Sequence, residues 1–307
     1  MAIRIGIVGL GKIAHDQHLP TLLRSPHFDL AAAASFHGSI PGKPSFTTIE
    51  EMLASDVELD AVSLCQPPQA RFHAARLALE AGKHVFLEKP PGATLSEVKA
   101  LTDFARTKRL TLFASWHSRF ASGVETARVW LADRELRSVS VEWKEDVRQW
   151  HPGQAWIWES GGLGVFDPGI NALSIVTHIL PSPFFLTRGT LCFPANRGAP
   201  IAAELAFTDA QGTPIAASFD WRQTGPQTWD IRVETDAGTV LLSKGGSELS
   251  IAGVDQRTAP EAEYHGLYER FAALVHSGRI DVDVSPLRHV ADAFLRSARE
   301  TVDAFED

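Results

Sequence analysis

The stretch Ile3-Arg4-Ile5-Gly6-Ile7-Val8-Gly9-Leu10-Gly11-Lys12-Ile13-Ala14 decides how the first third of the chain folds. Its apolar run reads as a buried strand, and the Gly9-x-Gly11-x-x-Ala14 spacing behind it reads as a tight turn opening a helix. A dinucleotide pyrophosphate needs that arrangement, because positions without side chains let the backbone come close and the helix N-terminus then faces the negative charge. A glycine turn that only closes a βα unit would look similar; its place directly behind the first strand favours the nucleotide.

Outward from this turn, residues 30–34, 60–64, 84–87 and 110–114 are further short apolar runs. Helical patterns alternate with them, and Thr48-x-x-Glu51 and Thr94-x-x-Glu97 are capping boxes that start two of those helices. Strands and helices in alternation predict a parallel, doubly wound sheet of the Rossmann type over residues 1–118. All 8 tryptophans lie between Trp116 and Trp229, so a second unit with a different task is expected over 119–307. There, Ser122-x-x-Glu125 reads as a third capping box ahead of a helix to about Leu131. Strands are expected at 138–143, 202–207, 215–220, 229–234 and 239–243, then helices at 264–276 and from Ser285-Pro286. The expected class is α/β, with the second unit an α/β domain built on a predominantly antiparallel open sheet. An open face needs cover, which predicts a homodimer.

Composition removes several alternatives. The 307 residues suit two domains, with 44% hydrophobic and 21% charged side chains and no apolar run near the roughly 18 residues of a membrane span. The N-terminus enters a strand at once, so a cytoplasmic protein is expected. Cys65 and Cys192, the 2 cysteines, support neither a disulfide framework nor a cysteine-rich metal site, and no metal is expected. With 29 basic against 37 acidic side chains the net charge is −8, the wrong sign for a nucleic-acid surface. Tyr264 and Tyr268, the 2 tyrosines, are followed four residues later by Tyr268 and Ala272, which excludes a Tyr-x-x-x-Lys dehydrogenase.

Where an NAD-specific turn carries an acid for the ribose, the second strand ends in Ser35-Phe36-His37. Nothing there repels a 2′-phosphate and no arginine clamps it, so use of both NAD and NADP is expected; alternatively Ser35 and His37 merely begin a loop. The cofactor set comprises Gly9, Gly11, Lys12, Ile13, Ser35, His37, the run Cys65-Gln66-Pro67-Pro68-Gln69, Glu88 and Lys89. Lysines are usually solvated, but Lys89 in Glu88-Lys89-Pro90-Pro91 ends a buried parallel strand, the edge where such sheets bind ligands. An ammonium beside a carbinol oxygen stabilises developing charge or relays a proton, and Lys89–Pro90 is a candidate cis bond.

In Gly161-Gly162-Leu163-Gly164-Val165-Phe166-Asp167-Pro168-Gly169-Ile170-Asn171, Asp167 and Pro168 read as N-cap and first residue of a helix. Asn171 then shares a face with Asp167, and the glycines would let a ligand approach the backbone. Residues 143–158 mix Glu145, His151, Gln154 and several indoles, a composition suited to sugars, whose hydroxyls need donors and acceptors while their C–H faces pack on rings. His117 is a further candidate substrate contact. Trp130, Trp143, Trp156 and Trp221 read as core, and His15 and His18 as helix-surface groups.

The glycine motif, the run Gly82-Lys83-His84 through Glu88-Lys89-Pro90 and the later Asp167-x-x-x-Asn171 resemble the glucose–fructose oxidoreductase/inositol dehydrogenase family, over essentially the whole chain. The stretches 11–20, 143–146, 150–154 and 164–171 are similar to members that oxidise the anomeric carbon of an aldopyranose to its lactone. That resemblance implies that Lys89, Asp167 and Asn171 surround the reacting C1 hydroxyl, while Glu145, Trp150, His151 and Trp229 bind the ring. Many members carry histidine where this chain has Asn171; an amide takes no proton, so the base role moves toward Asp167 with Lys89 as relay. Arg71 stands where many have histidine, which leaves the nicotinamide contacts open. L-Arabinose, D-galactose and D-fucose share the configuration of ring carbons 2 to 4 and are the expected substrates. Oxidation elsewhere on a polyol or cyclitol, a non-catalytic NAD(P)-binding regulator, and a sugar-binding protein without redox chemistry are the alternatives.

Overall fold

A computed structural model describes residues 2–159, 161–260 and 262–306. The chain forms two compact units, Met1–His117 with Ala262–Val284 and Ser118–Glu261 with Ser285–Asp307. The sequence reading drew one junction at 118; residues 262–284 instead return to the first unit. The reason is apolar: in the helix Glu263–Ser277, Leu267, Tyr268, Phe271 and Leu274 are all buried. Phe271 stacks on Phe28 at 5.9 Å, and Tyr268 stacks on Phe86 at 4.9 Å.

Strands β1 (Ile3–Val8), β2 (Phe28–Ala34), β3 (Ser45–Phe46), β4 (Ala61–Leu64), β5 (His84–Leu87) and β6 (Leu112–Ala114) form the first unit's sheet in the order β3-β2-β1-β4-β5-β6. All pair in parallel. The four residues of β4 are all buried, as a strand covered on both faces requires. The order reverses between β1 and β4, the switch point at whose carboxyl edge such sheets bind ligands. Thr94 and Glu97 make the full capping box of the helix Leu95–Lys108. Beyond β6, Ala114 N donates to Asp281 O at 2.9 Å, so the returning segment covers the sheet edge.

The second unit holds β7 (Leu136–Lys144), β8 (Phe184–Pro194), β9 (Ala202–Asp209), β10 (Pro214–Asp220), β11 (Thr228–Thr235), β12 (Gly238–Ser243), β13 (Glu248–Ile251), β14 (Val254–Asp255) and β15 (Ala298–Val302). Their order is β14-β13-β12-β11-β7-β10-β9-β8-β15. Pairing is antiparallel except for β7 with β10 and β8 with β15. The 11-residue β8 was not anticipated, because a register shift between Leu186 and Arg188 breaks its two-residue alternation.

Ser122 does not cap the helix Val124–Leu131; its hydroxyl donates to Ser247 O at 3.1 Å, and Gly123 stands at the N-cap. Trp143 and Trp221 are core as expected, whereas Trp130 and Trp156 are half-buried, Trp130 lying beneath the Arg134 guanidinium at 4.8 Å. The helix Phe166–Ile179 lies against β10 through Gly169, where a Cβ would come within 2.8 Å of the Phe219 ring. Among the described residues no helix is long and apolar enough to cross a membrane.

Candidate active site

The predicted cofactor residues converge on one edge of the first sheet, since Gly9, Ser35, Cys65 and Glu88 each directly follow the last residue of β1, β2, β4 and β5. Gly9 has φ +89° and donates to Ala34 O at 2.9 Å, and a Cβ there would sit 3.0 Å from the Gln66 backbone nitrogen. Only glycine fits such a place. At Gly11 a Cβ would meet nothing within 4 Å, so space lies in front of the turn. The Ser35 hydroxyl accepts from Leu10 N at 3.3 Å and His37 N at 3.2 Å, tying the glycine turn to the end of β2.

Lys12 pairs with Asp16, and Ile13 is part-exposed beside the turn. Gln66 Oε1 is buried and has no hydrogen-bond partner among the described residues. Pro67 and Pro68 begin the helix Pro68–Glu80, with Gln69 exposed in its first turn. A glycine cradle, open space before it and an orphaned amide oxygen beside it fit a bound dinucleotide.

His18 corrects an expectation. Read as a surface group, it is 0% exposed, whereas its neighbour His15 is exposed. A π-turn over Ala14–His18 widens the helix there and breaks the 3.6-residue period on which the expectation rested. His18 Nδ1 lies 2.8 Å from Tyr268 Oη, and its Nε2 lies 3.3 Å from Glu88 Oε1. Tyr268 donates to Ser63 Oγ at 3.0 Å and Tyr264 donates to Glu88 Oε1 at 2.6 Å. The other Glu88 oxygen accepts the Lys89 amide.

Burial alone would raise the Glu88 carboxyl, but the hydrogen bond and charge of His18 hold it down to about 2. Burial likewise opposes a charge on His18, and Cys65, Tyr268 and Glu88 outweigh it and push the imidazole up. Arg71, 4% exposed, donates to the carbonyls of Glu88 and Pro90 and so holds the turn around Lys89. The Lys89–Pro90 bond is cis. His117 follows the end of β6, with its Nδ1 2.5 Å from Glu263 Oε2 and its ring stacked on Tyr264 at 5.5 Å.

The second unit gathers the other predicted residues. Glu145 is 3% exposed, and its carboxylate accepts from the Trp221 indole N–H at 3.3 Å and the Trp229 N–H at 2.8 Å. His151 Nε2 stands 3.8 Å from Glu145 Oε1 and 3.6 Å from Asp167 Oδ2. Trp229 stacks on Trp143 at 5.8 Å and meets Trp150 at 5.3 Å. Trp150 Nε1 is buried without a partner among the described residues, a donor set for an acceptor.

Two expectations about Asp167 change. It is the second residue of the helix Phe166–Ile179, not its N-cap, so capping does not explain it. The upstream glycines serve the chain's own backbone: a Cβ at Gly162 would strike the Ile157 and Trp156 carbonyls, and one at Gly164 the Pro200 carbonyl. Asn171, half-buried, follows one turn after Asp167.

Sequence reasoning missed Ser63, Trp221, Glu263, Tyr264 and Tyr268 as parts of these clusters. Tyr264 and Tyr268, 2 of 2 tyrosines, stand four apart on one helix face, a signal that was there to read.

A Rossmann sheet with a dinucleotide cradle, a lysine at its carboxyl edge and a second unit carrying a carboxylate and indole cluster define an NAD(P)-linked oxidoreductase. Residues 3–115 match the GFO_IDH_MocA model, an oxidoreductase family with an NAD-binding Rossmann fold. A galactose 1-dehydrogenase of Pseudomonas fluorescens is 45% identical over 305 residues, 99% of each chain. The crystal structure of a D-galactose-1-dehydrogenase protein from Rhizobium etli has 59% identity and a TM-score of 0.96, covering 99% of this chain and 98% of that one. KijD10, a 3-ketoreductase from Actinomadura kijaniata crystallised with NADP, shares the fold alone, at 18% identity and TM-score 0.80 over 98% and 100% of the two chains. This chain belongs to the GFO_IDH_MocA oxidoreductase family.

Proposed function

We propose that the protein oxidises C1 of an aldopyranose, D-galactose or L-arabinose, to the aldonolactone. The observation that carries this reading is the Glu145 carboxylate held by two indole N–H groups, with His151 between it and Asp167 and the Trp229 and Trp150 rings alongside. Fixed acceptors, donors and aromatic faces together suit a pyranose. The near-full-length likeness to galactose 1-dehydrogenases supports the same class of substrate.

When bound, NAD⁺ or NADP⁺ supplies the hydride acceptor. Gly9, Gly11, Lys12 and Ile13 hold the pyrophosphate; Ser35 and His37 meet the ribose and accept either cofactor; Cys65, Gln66, Pro67, Pro68, Gln69, Glu88 and Lys89 line the nicotinamide side. Glu88 does so from beneath, by anchoring the Lys89 amide. Lys89 stabilises negative charge developing on the carbinol oxygen or relays its proton, Asp167 accepts that proton, and Asn171 hydrogen-bonds the hydroxyl. Glu145, Trp150, His151, Trp229 and His117 bind the ring. The protein works in the cytoplasm as a homodimer of two-domain chains.

The test mixes purified protein with NAD⁺ or NADP⁺ and D-galactose, L-arabinose, D-fucose or myo-inositol, following absorbance at 340 nm and identifying the product by NMR. Lactone from galactose or arabinose, with both cofactors reduced, is expected. A ketose or inosose product would instead establish polyol chemistry, and tight dinucleotide binding without turnover would favour the regulator. Light scattering checks the dimer.

A further inference from the structure

Glu263 and Tyr264 open the helix that returns to the first unit, and no sequence feature marked either as functional. Glu263 Oε2 lies 2.5 Å from His117 Nδ1, and both side chains are largely buried, at 14% and 17% exposed. A carboxylate on Nδ1 fixes that nitrogen as the N–H donor and so makes Nε2 the nitrogen through which the ring exchanges a proton or meets a hydroxyl. The Tyr264 ring stacks on the His117 imidazole, 5.5 Å between centroids at 19°, while its hydroxyl donates to Glu88 Oε1 at 2.6 Å. Glu88 in turn receives the Lys89 amide. Two adjacent residues therefore hold a group that the sugar-oxidising reading gives to the ring, His117, and the anchor of the one it gives to the proton, Lys89.

We propose that Glu263 and Tyr264 are positioning residues of the reaction, Glu263 by setting the tautomer and orientation of His117, Tyr264 by holding the Glu88 carboxylate that anchors Lys89. This rests on the aldose-oxidising reading above. The alternative, that both only pin the helix to its unit, predicts lost stability with normal turnover per folded site.

The experiment compares Glu263→Ala, Glu263→Gln and Tyr264→Phe in the full-length enzyme, with folded sites counted by dinucleotide binding. Glu263→Ala and Tyr264→Phe should each lower kcat on galactose about 10- to 100-fold with KM little changed, the scale on which ångström misplacements act. Glu263→Ala should cost nothing further in a His117→Ala background, nor Tyr264→Phe in a Lys89→Ala background. Glu263→Gln keeps an acceptor on Nδ1 and should recover part of the rate.

Burial lowers the His117 pKa, and Glu263 and Glu88 more than reverse this while Lys89 opposes them, so the ring is held up overall. Removing the Glu263 charge should therefore move the acid limb of kcat/KM to lower pH. Unchanged kcat per folded site, or equal losses in the His117→Ala and wild-type backgrounds, would overturn the assignment. A wild-type enzyme inert toward every sugar would overturn the functional reading, and this assignment with it.

Discussion

Glu88 in the first unit and Glu145 in the second are both buried carboxylates, and they are partnered in different ways. Glu88 sits against the His18 imidazole, a tyrosine hydroxyl and a backbone amide from its own unit. Glu145 accepts from two neutral indole N–H groups, and His151 Nε2 stands 3.8 Å from its Oε1. The first arrangement pairs the carboxylate with an imidazole inside the fold and suits a structural anchor; the second orients it with neutral indole donors, which suits a group meant to meet hydroxyls. A buried carboxylate is thus no site by itself, and its partners tell which kind it is.

The sharpest break in this comparison comes from the groups each carboxylate serves. Lys89→Ala and Asp167→Ala should each reduce kcat by roughly 10²–10⁴, the range of a positioned acid–base group, in steady-state assays on galactose. Near-normal turnover by both would remove the proposed roles. His18→Ala leaves Glu88 buried without its cation and should cost about 3–5 kcal/mol in denaturant unfolding of the first unit's probes.

The same pair gives a pH window. Glu88 lies at about 2 in the fold against 4.5 ordinarily, so its contribution is complete above 4.5 and is lost as pH falls toward 2. His18 is raised above 6.5, so its contribution is complete below 6.5 and declines as pH climbs through its folded value. Stability should therefore peak between these limits, and the alkaline decline should flatten in the His18→Ala protein.

Smaller effects sharpen the second arrangement. Trp229→Phe keeps the ring and removes one donor to Glu145, so sugar binding should weaken by about 1.5–3 kcal/mol, seen as a higher KM with cofactor affinity unchanged. Thr94→Ala removes a helix cap remote from both carboxylates and should cost about 1 kcal/mol of stability with kcat and KM unaltered.

Much of this was legible because it is local. The glycine turn, the buried runs of β1, β2, β4 and β5, the Thr94 cap and the lysine after β5 follow from period, spacing and side-chain chemistry in one short window. Glu145, Trp150 and His151 were likewise conspicuous within a few positions of each other. What local reading misjudged has specific causes. His18 was placed outside because a π-turn shifts the helical phase, Asp167 was taken for a cap because the helix begins two residues earlier, at Phe166 rather than Pro168, and Gly162 and Gly164 were given to a ligand although Ile157 and Pro200 fill the space beside them.

By itself, then, the amino-acid order determined a dinucleotide-binding α/β protein with a predominantly antiparallel second unit and named most of its chemical groups. Only the tertiary structure decided that residues 262–284 belong to the first unit, that Tyr264 and His18 meet Glu88, and that Trp221 and Trp229 share Glu145. Those pairings join residues 70 to 176 positions apart, where no periodicity reaches. They are selected by the need of each buried charge for a partner once packing has removed water.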